Sequence, residues 1–163
     1  MPFHFAVSMT TRPARPGEEE GVDYHFVDEA QFEKARKDGR LVEWAEYGGN
    51  LYGTPVDEVE GPRGRGDDVL LDIEMVGARN VKASFPEAIL IFVLPPSLPV
   101  LEERLRMRHD TSDEAIAARL ALAEQQIAEA QSLFDHFVVN DDLASAVDAV
   151  ADILGHDPSH GAE

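Results

Sequence analysis

Three short apolar runs, VLLDI at 69–73, AILIFVL at 88–94 and HFVVN at 136–140, are each followed by a segment with helical spacing. No other feature constrains the fold as much. Parallel strands need a crossover connection long enough to hold a helix, so strand–helix alternation predicts a parallel α/β sheet. Runs without polar alternation suit strands buried on both faces. Helices are expected over about 75–84 and 97–107, then from Ser112 through Ile116, Leu120 and Ile127. A closing helix opens at Asp141 and reaches about Leu154, and the tail over 155–163 is expected to be disordered.

The first half reads differently. FHFAVS at 3–8 has the alternation of a strand and runs into TTRPARPGEEEGVDYHF, a loop that Arg12-Pro13 and Arg15-Pro16 force into an extended path. Asp28 is placed to cap a helix over 29–38 that stops at Gly39. LVEWAEY (41–47), the turn GGN and LYGTP (51–55) predict a hairpin. Residues 56–66 begin like a helix, but Gly61, Pro62, Gly64 and Gly66 predict that the second half is a loop. There is no repeat and no long linker, so residues 1–154 read as one domain.

Charge limits the partners. The chain has 14 Lys and Arg against 32 Asp and Glu, a formal charge of −18. That balance opposes nonspecific binding to nucleic acid or to an anionic membrane, so any phosphate must be gripped by a local group of arginines. There is no cysteine, hence no disulfide scaffold or thiol catalysis. The longest apolar run, Ala88 to Leu94, is far short of a membrane helix, and the first residues do not read as a signal peptide. A cytoplasmic setting is expected.

Four constellations could carry chemistry. Ser8, Thr10, Thr11, Arg12 and Arg15, with Tyr24 beyond, combine hydroxyls and guanidinium groups as a phosphate site does. The same arginines could instead pair with Glu18 to Glu20 in a solvated loop. Glu43, near Trp44, Tyr47, Tyr52 and Thr54, could accept from a base that offers two adjacent donors, as guanine does; otherwise it belongs to a surface strand alternating Glu43, Ala45 and Tyr47. Asp72 and Glu74 are two apart at the carboxyl end of an apolar run, on one strand face, where α/β sheets place ligands and where a Walker B acid holds magnesium. Buried strands also end in acids for no such reason. Arg104, Arg106 and Arg108, with Arg119 further on, could meet a polyphosphate, or form a solvated face balanced by Glu102, Glu103 and Asp110. The histidines show no metal-ligand spacing.

Taken in order, the strings FAVSMTTRPARPGEEEGVDYHFV, LVEWAEYGGNLYGTP, VLLDIEMVGARNVK, FVLPPSL and VVNDDL resemble the guanylate kinases, P-loop enzymes that phosphorylate GMP from ATP. The resemblance runs from residue 3 to residue 154. It implies a parallel P-loop kinase-type sheet flanked by helices, an inserted small α+β GMP-binding part over 9–65 and a helical lid over 104–119. It assigns the GMP phosphate to Ser8, Arg12, Arg15, Tyr24 and Tyr52, and guanine to Glu43, Thr54 and Glu74. Asp72 falls on the acid that holds Mg²⁺, directly or through water. Arg104, Arg108 and Arg119 fall on arginines that neutralise ATP phosphates, and Asn140 lies near adenine. Arg12, Asp72, Arg108 and Arg119 would be the catalytic group. GMP or dGMP and ATP with Mg²⁺ are the implied substrates and cofactor, and oligomeric state is left open.

Three departures stand out. The family lid Arg-Gly-Arg-Gly-Thr reads Arg106-Met107-Arg108-His109-Asp110 here, and Glu74 replaces a more usual Asp. The larger departure is that no GxxxxGK[ST] phosphate loop is present: Lys34, Lys37 and Lys82 are the only lysines and none follows a glycine. The expectation is therefore a guanylate kinase whose first strand and helix are missing from this chain, which is inactive as written. The alternatives are a non-catalytic module that binds GMP or a protein, and an enzyme whose partner supplies the loop.

Overall fold

The computed structural model describes residues 3–107 and 112–155, which group into two compact units, Met1–Ala88 and Ile89–Glu163. The first unit contains β1 (Phe3–Phe5), β2 (Met9–Thr10), β3 (His25–Phe26), α1 (Glu29–Lys37), β4 (Leu41–Tyr47), β5 (Asn50–Pro55), α2 (Val56–Arg65), β6 (Asp68–Leu70) and α3 (Met75–Ser84). β1 runs parallel to β6, from Phe3 opposite Asp68 to Phe5 opposite Leu70. The other four strands form a mixed sheet in the order β3-β2-β5-β4.

Local chemistry accounts for most of these boundaries. Asp28 caps α1 in a reciprocal box: its carboxylate accepts from the Gln31 N–H at 2.7 Å, and its own N–H donates to the Gln31 side chain at 3.0 Å. The β4–β5 hairpin turns on Gly48 and Gly49, whose φ values of 59° and 76° fit a two-residue turn that only glycine-like residues adopt easily. The expected strand over 3–8 covers only Phe3–Phe5. Its Val7 N–H donates to the Glu58 carboxylate at 3.1 Å instead of continuing a ladder, so β1 ends early.

Two other expectations for this unit fail. The helix from Val56 does not dissolve at Gly61 and Pro62 but continues to Arg65, closing on Gly66 in the left-handed region at φ 88°. Val59 and Pro62, one turn apart, are both buried, and α2 packs on β4, β5 and β6. That tertiary burial offsets a proline cost of about 3 kcal/mol in an open helix. The strand expected over 69–73 stops at Leu70 and is only half-buried. Glu74 then serves as the N-cap of α3.

The second unit contains β7 (Ile91–Leu94), α4 (Leu98–Met107), α5 (Asp113–Ala130), β8 (His136–Val139) and α6 (Leu143–Ile153). β7 and β8 pair in parallel, Ile91 opposite His136 through Leu94 opposite Val139. Phe92 packs edge-on against Phe134 at 4.9 Å. Ser112 caps α5 as expected, whereas α6 is capped by Asp142 and not by Asp141. β8 is not buried on both faces: Val138 is buried, but Phe137 and Val139 are exposed. Arg108, His109 and Asp110 of the expected lid and most of the tail lie outside the described residues. Among the described residues, no helix is long and apolar enough to cross a membrane.

In the first unit Glu58 ties three elements together. Its carboxylate meets His4 of β1 at 2.8 Å, His25 of β3 at 3.4 Å and the Val7 N–H. Desolvation pushes its pKa up, but the bonds to His4, Val7 and His25 outweigh this and leave it below the usual carboxylate value. A depressed carboxylate pKa contributes stability above the unfolded pKa and loses it as pH falls through the folded one. Glu58→Gln should therefore cost about 1–2 kcal/mol at pH 7 by urea unfolding. The gap to the unaltered chain should shrink as pH is lowered through the carboxylate range.

Candidate functional site

Glu43 sits on β4 directly opposite Thr54 of β5, one residue after a bulge that sets Leu41 and Glu43 against Pro55 and Thr54. Bulges re-aim side chains. Here the result is an inward carboxylate: Glu43 is 6% exposed and Thr54 fully buried, while Tyr47 further along is 44% exposed. The surface-strand reading of Glu43 is thus excluded. The Thr54 hydroxyl donates to Glu43 Oε1 at 2.7 Å. Burial raises the Glu43 pKa above the ordinary carboxylate value, Thr54's hydroxyl and amide oppose the rise, and the charge of Glu74 adds to it.

The other carboxylate oxygen, Oε2, lies against the first turn of α3. A Cβ built on Gly77 would approach it to 2.6 Å. Glu74 accepts from the N–H groups of Gly77 at 2.6 Å and Val76 at 2.9 Å at the same helix end. Two carboxylates thus lie at one positive helix terminus, where negative charge is favoured. Gly53 is the counterpart on the hairpin: a Cβ there would come within 2.9 Å of the Glu43 carbonyl oxygen.

Arg12 anchors a second cluster. Its NH1 and NH2 groups donate to the two oxygens of Glu18 at 3.0 and 2.8 Å, and NH1 also donates to the Pro13 carbonyl at 2.7 Å. The guanidinium lies 5.3 Å from the Tyr24 ring centroid and 5.9 Å from that of Phe26. Tyr24 packs edge-on to Tyr52 at 6.0 Å. Glu18 holds the Arg12 guanidinium firmly protonated, with Tyr52 assisting. The Arg15 side chain is exposed and its backbone N–H donates to Glu18 at 2.7 Å. The Ser8 carbonyl accepts from His25 N–H at 2.8 Å, which pins the start of the loop to β3.

The structure therefore brings together Arg12, Tyr24 and Tyr52, and separately Glu43, Thr54 and Glu74. Asp72 is exposed between β6 and α3, and its charge helps burial to raise the Tyr24 pKa. It does not share a strand face with Glu74, because the strand has ended. In the second unit Arg104 donates to the Asn140 carbonyl at 2.8 Å and to that of Asp141 at 3.3 Å. Arg106 instead pairs with Glu102 and Asp113. Arg119 is exposed on α5, and Arg108 lies outside the described residues.

Sequence reasoning missed Gly53, Gly77 and the cap made by Glu74. Gly77 had a usable signal: a glycine in an early helix turn costs about 1 kcal/mol against alanine, so its presence marks a close approach.

Glu43 binds its proton more tightly folded than unfolded, so the ionised form loses stability as pH rises from the unfolded pKa through the folded one. Glu43→Gln, a neutral mimic, should accordingly melt at or above the temperature of the unaltered chain at pH 7. That advantage should vanish below the carboxylate range in a thermal-melt series.

A family model described as guanylate kinase matches residues 1–157. A guanylate kinase of Thermus thermophilus is 53% identical over 150 residues, 92% of this chain and 66% of the relative's length. One of Symbiobacterium thermophilum is 48% identical over 145 residues, 89% of this chain and 68% of the relative. The chain thus spans about two thirds of the length of these relatives. The crystal structure of guanylate kinase from Anaplasma phagocytophilum superposes with a TM-score of 0.80 at 34% identity, covering 94% of this chain and 74% of that one. With the match spanning nearly all of its length, this chain belongs to the guanylate kinase family.

Proposed function

We propose that these residues carry the GMP-binding side of an ATP-dependent GMP phosphotransferase. The observation that carries the reading is Glu43, a buried carboxylate with Thr54 at its side. An ionised carboxylate has roughly four acceptor positions, and Thr54's hydroxyl and amide account for only part of that capacity. Guanine offers N1–H and N2–H side by side and can fill the remainder. Adenine presents a lone pair where N1–H would be, leaving a desolvated charge without its donor. Thr54 and Glu74 complete the proposed base site.

The GMP phosphate is assigned to Ser8, Arg12, Arg15, Tyr24 and Tyr52 within a GMP-binding part over residues 9–65. The acceptor oxygen is already anionic, so the work is positioning and charge neutralisation more than proton removal. Asp72, an exposed hard-oxygen donor, fits a magnesium ion that keeps most of its waters; when bound, that ion would neutralise ATP phosphates. Arg104, Arg108, Arg119 and Asn140 are assigned to the ATP side on family grounds. The nucleotide substrates, GMP or dGMP and ATP, place the protein in the cytoplasm on this reading. The relatives above are guanylate kinases by name, which does not favour the binding-only module.

These 163 residues hold no Gly-rich loop ending in Gly-Lys-Ser or Gly-Lys-Thr, and phosphoryl transfer in this class uses one to cradle the donor. Mixed with ATP, Mg²⁺ and GMP, the chain alone should form no GDP above background. Sustained GMP-dependent ADP release, with host kinase excluded, would overturn this. By calorimetry, Glu43→Gln should weaken GMP binding roughly ten- to a hundredfold and narrow the preference for GMP over AMP. Arg12→Ala should weaken both nucleotides alike. An unaltered GMP-over-AMP ratio in Glu43→Gln would remove Glu43 from the base site.

A further inference from the structure

Three consecutive glutamates, Glu18 to Glu20, open the segment between Arg15 and β3, and they do different work. Glu20 accepts from the Phe26 N–H at 2.8 Å, and the Glu19 N–H donates to Asp23 at 2.8 Å. Only Glu18 is shown facing Arg12, and it does so with both oxygens, on the end-on fork formed by NH1 and NH2. Pro13 takes the second NH1 hydrogen. A guanidinium has five N–H donors in a fixed plane, so with these three taken the side-on fork of Nε and NH2 is left as the other bidentate face, and Tyr52 is a further neighbour of the guanidinium.

We propose that Glu18 is a positioning residue: it locks the Arg12 guanidinium in the plane that presents this second fork to the phosphate of GMP. The proposal rests on the assignment of Arg12 to that phosphate. A competing role, in which Glu18 occupies the phosphate's own place and must leave, fits the geometry less well. The Glu18 carboxylate also accepts from the Arg15 N–H at 2.7 Å, and its departure would strip that amide as well as Arg12. Both side chains are largely covered, at 12% and 18% exposure, and the guanidinium is held over Tyr24. The pair is therefore part of the loop's frame, and an anion arriving at the side-on fork needs no rearrangement of it. Locking a long side chain in its binding rotamer removes an entropy cost that the ligand would otherwise bear.

Calorimetry on the 163-residue chain, titrated with GMP and with guanosine, tests this. Glu18→Ala should raise the Kd for GMP about tenfold, the scale of one lost hydrogen bond to a charged group. The Kd for guanosine, which lacks the phosphate, should not move. Glu18→Gln, which keeps one acceptor oxygen, should fall between, and it decides the matter if the alanine variant melts below the assay temperature. In an Arg12→Ala background, Glu18→Ala should cause no further loss. Unchanged or tighter GMP binding in the Glu18 variants overturns the proposal, as does an equal loss for guanosine or an additive loss in the double variant. Failure of the unaltered chain to bind GMP would instead overturn the assignment of the phosphate site, and this proposal with it.

Discussion

The buried carboxylate of Glu43 is the constraint around which the first unit is arranged. Taking a charge out of water costs several kcal/mol unless partners replace the solvent. Here the replacements are the hydroxyl and amide of Thr54 across the hairpin and the positive end of α3. Each supporting feature has an identifiable origin. The bulge turns Glu43 inward, Gly53 lets the two hairpin strands close beside it, and Gly77 leaves space for its oxygen. Glu74 satisfies the α3 amides but also adds a like charge.

The loop between β2 and β3 solves the opposite problem. In a chain with a large negative excess, an anion needs a local positive site that the surrounding acids do not cancel. Those acids are largely occupied as structural acceptors. Glu18 faces Arg12 and the Arg15 amide, Glu20 takes the Phe26 amide, and Asp23 takes the Glu19 amide. Acidity here shapes the backbone that displays the cation. Composition alone describes such a loop as solvated, and the ion pair that composition suggested between arginine and Glu18 is present, serving as a frame.

Features governed by short-range rules were readable in advance. The caps at Asp28 and Ser112 and the Gly48-Gly49 hairpin follow from side-chain acceptors or glycine over a few residues. What escaped depends on partners distant in sequence. The persistence of α2 through Pro62 depends on burial against three strands. The early end of β1 depends on Glu58, fifty-four residues away from His4 in sequence. The choice of Asp142 over Asp141 as a cap turns on a single position, the usual margin for such boundaries. For the candidate site, residue types in motif order singled out Glu43, Thr54 and Arg12. Their burial, the bulge beneath Glu43 and the glycines beside it were not recoverable from the pattern.

The pairing of β1 with β6 has a consequence for the order in which the chain organises. Phe3 finds its partner only at Asp68, whereas the Glu43–Thr54 contact spans a short hairpin. Closing a long loop carries an entropy penalty that grows slowly with length, and contacts distant in sequence form late. On a ribosome, β1 cannot pair with β6 until residue 70 has emerged. The hairpin that carries Glu43 can close long before then. The hairpin is thus the early-forming piece of its unit, and β1, with exposed Phe3 and Phe5 at its ends, waits longest for its partner.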